Sequence, residues 1–261
     1  MKALVIILGL GAVLTSLAWS QADAMPQGFQ EHRFNGRDPV HADGVTTFHV
    51  RAGDCSAIDY GDGRGESDCF NGNLRSRIAY RTYARLGDSV QYRMDIFIPA
   101  DLRYGGGPNR RSLLEIAEWQ RINTIKNHIH QLHVDSARGV TFDDARCFAP
   151  SEFGRWNSFV LQVRWSMQDD GILRVLCNDR VVISRRGRTA IPPDCGQPGV
   201  FQCIPEFQRP NEPIQFQAGI LFRGFGEQNR RDGLSPRGRT PPEQGFTIRM
   251  RNIEVSNIRF R

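Results

Sequence analysis

Arginine, glutamine and histidine recur at alternate positions in several short stretches: Arg75 and Arg77, Glu118 and Gln120, Gln131 and His133, Gln217 and Arg223. On an extended chain, residues an even number apart share one face. Guanidinium and amide groups gathered on such a face can hold a carboxylate and stabilise charge as it develops there. A histidine or tyrosine beside them can take or give a proton. His133, in step with Gln131, is the candidate base, and Tyr83, in step with Arg75, Arg77 and Arg81, is the candidate acid. Each competes with a plainer reading, as an ordinary strand histidine and a packing aromatic. His128 and His130 stand two apart and could pair on a metal, but no third ligand accompanies them.

Such side chains need strands to carry them. The central stretch, 112–135, holds two extended runs, Leu113–Gln120 and His128–Val134. In the first, Glu118 and Gln120 point one way and Ala117 and Trp119 the other. In the second, Ile129, Gln131 and His133 share one face, and His128, His130 and Leu132 share the opposite one. Around this pair, alternation predicts strands over Gly44–Arg51, Arg75–Arg85, Ser89–Ile98, Trp156–Trp165, Ile172–Leu176, Val181–Ser184, Gln215–Arg223 and Phe246–Phe260. Asp170-Gly171 and Asn178-Asp179 mark tight turns between neighbours. No helical period persists. The pattern predicts an all-β, two-sheet antiparallel β-sandwich whose open face meets a hydrophilic polymer.

The N-terminus reads as an export signal. Lys2 precedes an apolar run, Ala3–Leu17, and Ala22-Asp23-Ala24 has the small-x-small form of a cleavage site. Residues 1–24 are therefore expected to be a signal peptide and 25–261 a single mature domain, secreted or periplasmic, with no membrane attachment and acting as a monomer. Six cysteines remain, Cys55, Cys69, Cys147, Cys177, Cys195 and Cys203. An even number in an exported chain implies disulfides, and sequence alone leaves every connectivity open. Short-loop closure favours Cys55–Cys69 and Cys195–Cys203, which leaves Cys147 with Cys177.

The net charge is +6. After the leader only Lys126 is a lysine, so the positive charge is almost all arginine. Arginine's planar fork pairs with carboxylate or sulfate, which points to an acidic polysaccharide partner. No nucleic-acid-binding motif appears. The loop Gly53–Asn73 carries Asp54, Asp59, Asp62, Glu66 and Asp68, which could ligate calcium, although their spacing is not that of an EF-hand. A solvated loop without a cofactor is the expectation.

The order of these segments resembles the jelly-roll, concanavalin A-like polysaccharide lyases, the superfamily of heparin lyase I, glucuronan lyase and alginate lyases. The resemblance is carried by Asn73–Arg77, by Ile116–Gln120, by Asn157–Trp165 ahead of Asp170-Gly171, by Phe216–Leu221 and by Ile253–Ile258. It spans roughly residues 44–260. The resemblance implies a jelly roll that cleaves uronic acid polymers by β-elimination, with Arg75, Arg77, Glu118, Gln120, Gln131, Gln217 and Arg223 binding substrate and no metal. The family pattern is changed in three places. The R-S-E triplet is Arg75-Ser76-Arg77, Q-W-H is Glu118-Trp119-Gln120, and Leu221 stands where a tyrosine is usual. A non-catalytic carbohydrate-binding jelly roll is the alternative. A glycoside hydrolase is disfavoured, because Glu115 and Glu118 are three apart and fall on opposite faces of a regular strand.

Overall fold

The computed structural model describes residues 24–61, 63, 65–104, 114–122, 128–191, 213–223 and 243–260. Among these, fourteen strands form two seven-stranded antiparallel sheets. The first sheet runs, in spatial order, β1 (Phe29–Glu31), β4 (Leu74–Tyr80), β13 (Ile214–Phe222), β6 (Leu114–Arg121), β7 (His128–Asp135), β8 (Gly139–Phe142) and β9 (Ala145–Phe148). The second runs β12 (Arg180–Arg186), β11 (Ile172–Cys177), β10 (Trp156–Arg164), β5 (Ser89–Phe97), β14 (Phe246–Asn257), β3 (Val45–Val50) and β2 (Val40–Ala42). The expected two-sheet β-sandwich is the fold observed.

Alternation decides which side of each strand is buried. In β5, Val90, Tyr92, Met94 and Ile96 are buried while Gln91, Arg93 and Asp95 are not. In β10, Phe159, Leu161 and Val163 do the same. These side chains meet the inner face of the first sheet, where Trp119 stacks on Phe216 at 5.0 Å and meets Tyr92 edge-on at 5.5 Å. Each large side chain removed from water contributes roughly 2 kcal/mol, so the inner faces hold the sheets together. The outer faces stay available for other work.

Turn chemistry follows the sequence where the turns are tight. Asn178 and Asp179 both take positive φ, 49° and 60°, between β11 and β12, as a two-residue hairpin with the sheet's twist requires. Cys55–Cys69 closes the acidic loop, and Cys147–Cys177 ties β9 to the end of β11, joining the two sheets. The expected Cys195–Cys203 pair and residues 1–23 of the expected 1–24 leader lie outside the described residues, as do Gly105–Pro108 and most of the Gly224–Gly245 stretch, both read from the sequence as loops. No helix among the described residues is long and apolar enough to cross a membrane.

Three expectations change. The predicted strand Arg75–Arg85 ends at Tyr80, and residues 81–83 leave the sheet. The hairpin of β8 and β9 was not anticipated. Its turn depends on Asp143, which holds φ 50° and accepts from the backbone of Gln131. The acidic loop carries a short helix, α1 (Asp68–Asn71), capped by Ser67.

Candidate functional site

Four neighbouring strands of the first sheet, β4, β13, β6 and β7, carry polar side chains on their outer face. Glu118 is the middle of one row, directly across from Gln217 on β13 and Gln131 on β7. Arg77 on β4 stands opposite Gly219, which has no side chain to block the way. Its guanidinium therefore reaches past β13 to β6. There Nη1 donates to Glu118 Oε2 at 2.7 Å and to Gln217 Oε1 at 3.1 Å, and Nη2 donates to Glu115 Oε1.

That Arg77 holds both glutamates corrects the expected division of Glu115 and Glu118 between faces. The cause is a bulge. Glu115 pairs with His133 and Ala117 with Leu132, so Ile116 is an extra residue on β6. One inserted residue reverses the facing of what lies beyond it. β13 has a matching irregularity between Ala218 and Leu221, where Gly219 adopts φ 111° and a Cβ would lie 2.5 Å from the Ser76 carbonyl. Only glycine fits there.

A second bulge separates the histidines of β7. Trp119 pairs with His130 but Gln120 with His128, leaving Ile129 as the extra residue. His128 thereby turns to the outer face, while His130 turns inward. His130 is buried, stacks on Phe142 and Trp165 at 5.2 and 5.9 Å, and bonds Asp143 and the Thr189 carbonyl. The two histidines share no face, so they form no metal pair.

The outer cluster closes around these groups. Glu115 Oε2 accepts from Gln131 Nε2 at 2.6 Å and from Arg223 Nη2 at 3.1 Å. Arg223 also lies 3.5 Å from Glu118 Oε1. His128 Nδ1 contacts Glu118 Oε1, and Arg223 Nη2 lies 3.3 Å from His128 Nε2. His133 Nε2 reaches Gln131 Oε1 at 3.3 Å, and Gln217 Nε2 donates to Gln215 at 2.9 Å. Gln120 sits one row further along, across from Gln215 and His128.

Electrostatics fix the protonation of the cluster. Burial pushes the Arg77 guanidinium down to about 10, Glu115 opposing, so it remains charged at neutral pH. Burial alone would raise the Glu115 carboxyl, but Arg223 and Arg77, then His128 and His133, hold it well below the usual carboxylate range. Burial, then the Arg223 charge, pushes His128 down to about 3, against the pull of Glu115. His128 is thus neutral near pH 7. Arg223 Nη2 lies 3.4 Å from Nδ1 and 3.3 Å from Nε2 and so does not choose between them. A carboxylate only accepts, so the ring proton sits on Nδ1, facing Glu118, and Nε2 keeps its lone pair.

Several of the residues expected together are found together: Arg77, Glu118, Gln131, His133, Gln217 and Arg223. Arg75 shares the face of Arg77 but is held by Asp68, with Nε to Oδ2 at 2.8 Å and Nη2 to Oδ1 at 3.0 Å. Asp68 also accepts from Tyr60 and Asn73. Among the loop acids, Asp54 pairs with Arg37 and Arg51, and Asp59 caps Gly61. Tyr83, expected on the Arg75 face, stands beyond the end of β4, 43% exposed, and lines a different cavity. Glu115 and His128 are additions; His32 lies outside the cluster, its Nδ1 accepting from the Phe34 amide. His32 is held well below its ordinary value by burial, then by Arg75 and Arg77. Gly219 was the available signal for the first irregularity, since glycine inside a strand often marks a bulge.

Neither a protein-family model nor a curated protein matches the sequence. Among solved structures, the chain is similar to an endo-β-1,4-glucuronan lyase from the fungus Trichoderma reesei, at 12% identity and TM-score 0.49, covering 84% of this chain and 81% of that one. It is similar to an alginate lyase at 12% identity and TM-score 0.44, covering 85% and 84%. A cellulose-induced protein follows at 11% identity and TM-score 0.38, covering 90% and 88%.

Proposed function

We propose that the outer face of β4, β13, β6 and β7 binds an acidic, uronic acid-containing polysaccharide and cleaves it by β-elimination outside the cytoplasm. The observation that carries this reading is the neutral His128 ring, oriented by Glu118 and set beside the partly exposed guanidinium of Arg223. A base whose second nitrogen is fixed by a carboxylate is the arrangement general-base catalysis needs.

The roles divide by exposure. Arg77 is fully buried and held through both terminal nitrogens by Glu115, Glu118 and Gln217, so it positions those groups and does not touch substrate. Arg223, with a third of its side chain exposed, receives the sugar carboxylate and renders the adjacent proton acidic. That carboxylate offsets the Arg223 charge that depresses His128, so substrate binding raises the basicity of the ring. His128 takes the proton from the carbon next to the carboxylate. The electron pair forms the new double bond, the glycosidic C–O bond breaks, and the departing oxygen gains a proton from His133. Gln131 and Gln120 bind the sugar hydroxyls, while Gln217, fully buried between Arg77 and Gln215, positions its neighbours. Arg75, paired to Asp68, borders the face.

The test is absorbance of the unsaturated uronate end group during incubation with glucuronan, alginate and heparin. A rise that His128→Ala abolishes supports elimination. One observation favours a second reading, a binding jelly roll without chemistry: among the described residues, the arginines on the face are already matched by carboxylates, Arg75 by Asp68, Arg77 and Arg223 by Glu115 and Glu118. Polymer binding with no unsaturated product on any acidic substrate would establish that reading instead.

A further inference from the structure

We propose that the cavity beside Tyr83 is a second carbohydrate site, one that takes a neutral sugar unit. The proposal does not rest on the reading of the β6–β7 face. The cavity measures about 480 Å³, within the range of small-molecule sites. Its walls come from the segment after β4, the start of β5 and the end of β14.

Two kinds of group meet there. Tyr80 and Tyr83 supply aromatic surface, and Tyr83 is 43% exposed, a large ring left out of the core. An aromatic face covers the C–H face of a sugar ring, while a phenol hydroxyl keeps its hydrogen bonds at the wet edge. Asp88, Ser89 and Asn257 add acceptors and donors suited to sugar hydroxyls. Asp88 is the one carboxylate among the lining side chains, and no lysine, arginine or histidine lines the cavity beside it among the described residues. A carboxylate accepts readily from hydroxyl groups and repels a uronate. The pocket therefore selects a neutral, hydroxyl-rich ring and excludes the acidic units assigned to the other face.

The walls are also fixed in place, which lowers the ordering penalty of binding. Asp88 Oδ2 caps the Arg85 amide at 2.7 Å, and its carbonyl accepts from Trp165 at 2.9 Å. The Ser89 carbonyl accepts from Ile258 at 2.9 Å, fastening the end of β14 to the start of β5. Tyr92 is buried behind them, its hydroxyl accepting from Trp165 Nε1 at 3.4 Å.

The test is calorimetric titration of the intact protein with neutral oligomers of glucose, mannose and galactose, and with oligoglucuronate as competitor. At least one neutral oligomer is expected to saturate with a Kd at or below about 1 mM. Tyr83→Ala should weaken it about tenfold or more, and Asn257→Ala should weaken it as well, each with an unchanged melting temperature. Oligoglucuronate should not displace the neutral sugar. Absence of saturation by all three neutral series, binding that survives both substitutions, or displacement by oligoglucuronate would each overturn the proposal.

Discussion

Glu115 and Glu118, three residues apart on one strand, share the guanidinium of Arg77. On a regular strand they would face opposite ways, and the Ile116 bulge is what brings them together. The result is a buried ion cluster at the centre of an otherwise polar surface. Its members constrain one another more than they contact solvent, so its first consequence is for stability.

Arg77→Met removes a charge that serves two carboxylates and an amide. Leaving buried carboxylates unmatched costs about 3–5 kcal/mol. Thermal or urea unfolding of Arg77→Met is expected to show a loss of that order. Arg77→Lys should recover little of it, since one ammonium cannot span both carboxylates as the planar fork does. Wild-type stability in Arg77→Lys would show that the fork geometry is unimportant.

The same cluster makes stability depend on pH, and both shifted groups act in one direction. His128 has a folded value of about 3, below its ordinary 6.5, so between these the unfolded chain binds more protons and stability falls as pH drops. Glu115 is also depressed, so its contribution is present above the ordinary carboxylate range and disappears as pH falls through its folded value. Urea midpoints measured from pH 7 down to pH 4 should decline, and His128→Gln should flatten the part above pH 5. An equally steep profile in that variant would remove His128 as the source.

Much of the fold was legible in the sequence because burial on strands has period two, and β5 or β10 shows it without interruption. The site was only half legible for the same reason. Gln131, His133, Glu118 and Gln217 lie on uninterrupted stretches and were placed correctly on one face. His128 and Glu115 lie beyond inserted residues, Ile129 and Ile116, which look like any other apolar strand residue. Tyr83 was misplaced by the converse error. Alternation continues in the letters through Arg85, but the strand breaks after Tyr80 and pairing returns only as a single bridge between Ala84 and Ile214, with no glycine or proline to mark the break.

The inter-sheet disulfide predicts a separate stability effect. Cys147–Cys177 closes a loop of 30 residues and joins the edge of one sheet to the other. Cys147→Ser with Cys177→Ser should lower stability by about 2–5 kcal/mol. Thiol titration of the denatured wild type should find neither sulfur reactive. Free thiol on Cys147 or Cys177 in peptide mapping would refute the pairing.

The last prediction concerns turnover. If Arg223 receives the sugar carboxylate, Arg223→Ala should weaken binding of an acidic oligosaccharide and slow elimination about a hundredfold. His128→Ala should slow elimination by about a hundredfold while leaving binding largely intact. Glu118→Gln keeps the size of the side chain but removes the carboxylate that fixes the ring proton on Nδ1. It should lower kcat, leave KM nearly unchanged and alter the pH–rate profile, which a purely structural role would not do. His133→Ala separates the two proton-transfer steps. As the donor to the departing oxygen, it should matter most for poor leaving groups and least for an activated aryl glycoside. A uniform loss across leaving groups would assign His133 to positioning, together with Gln131, and leave protonation of the departing oxygen to solvent.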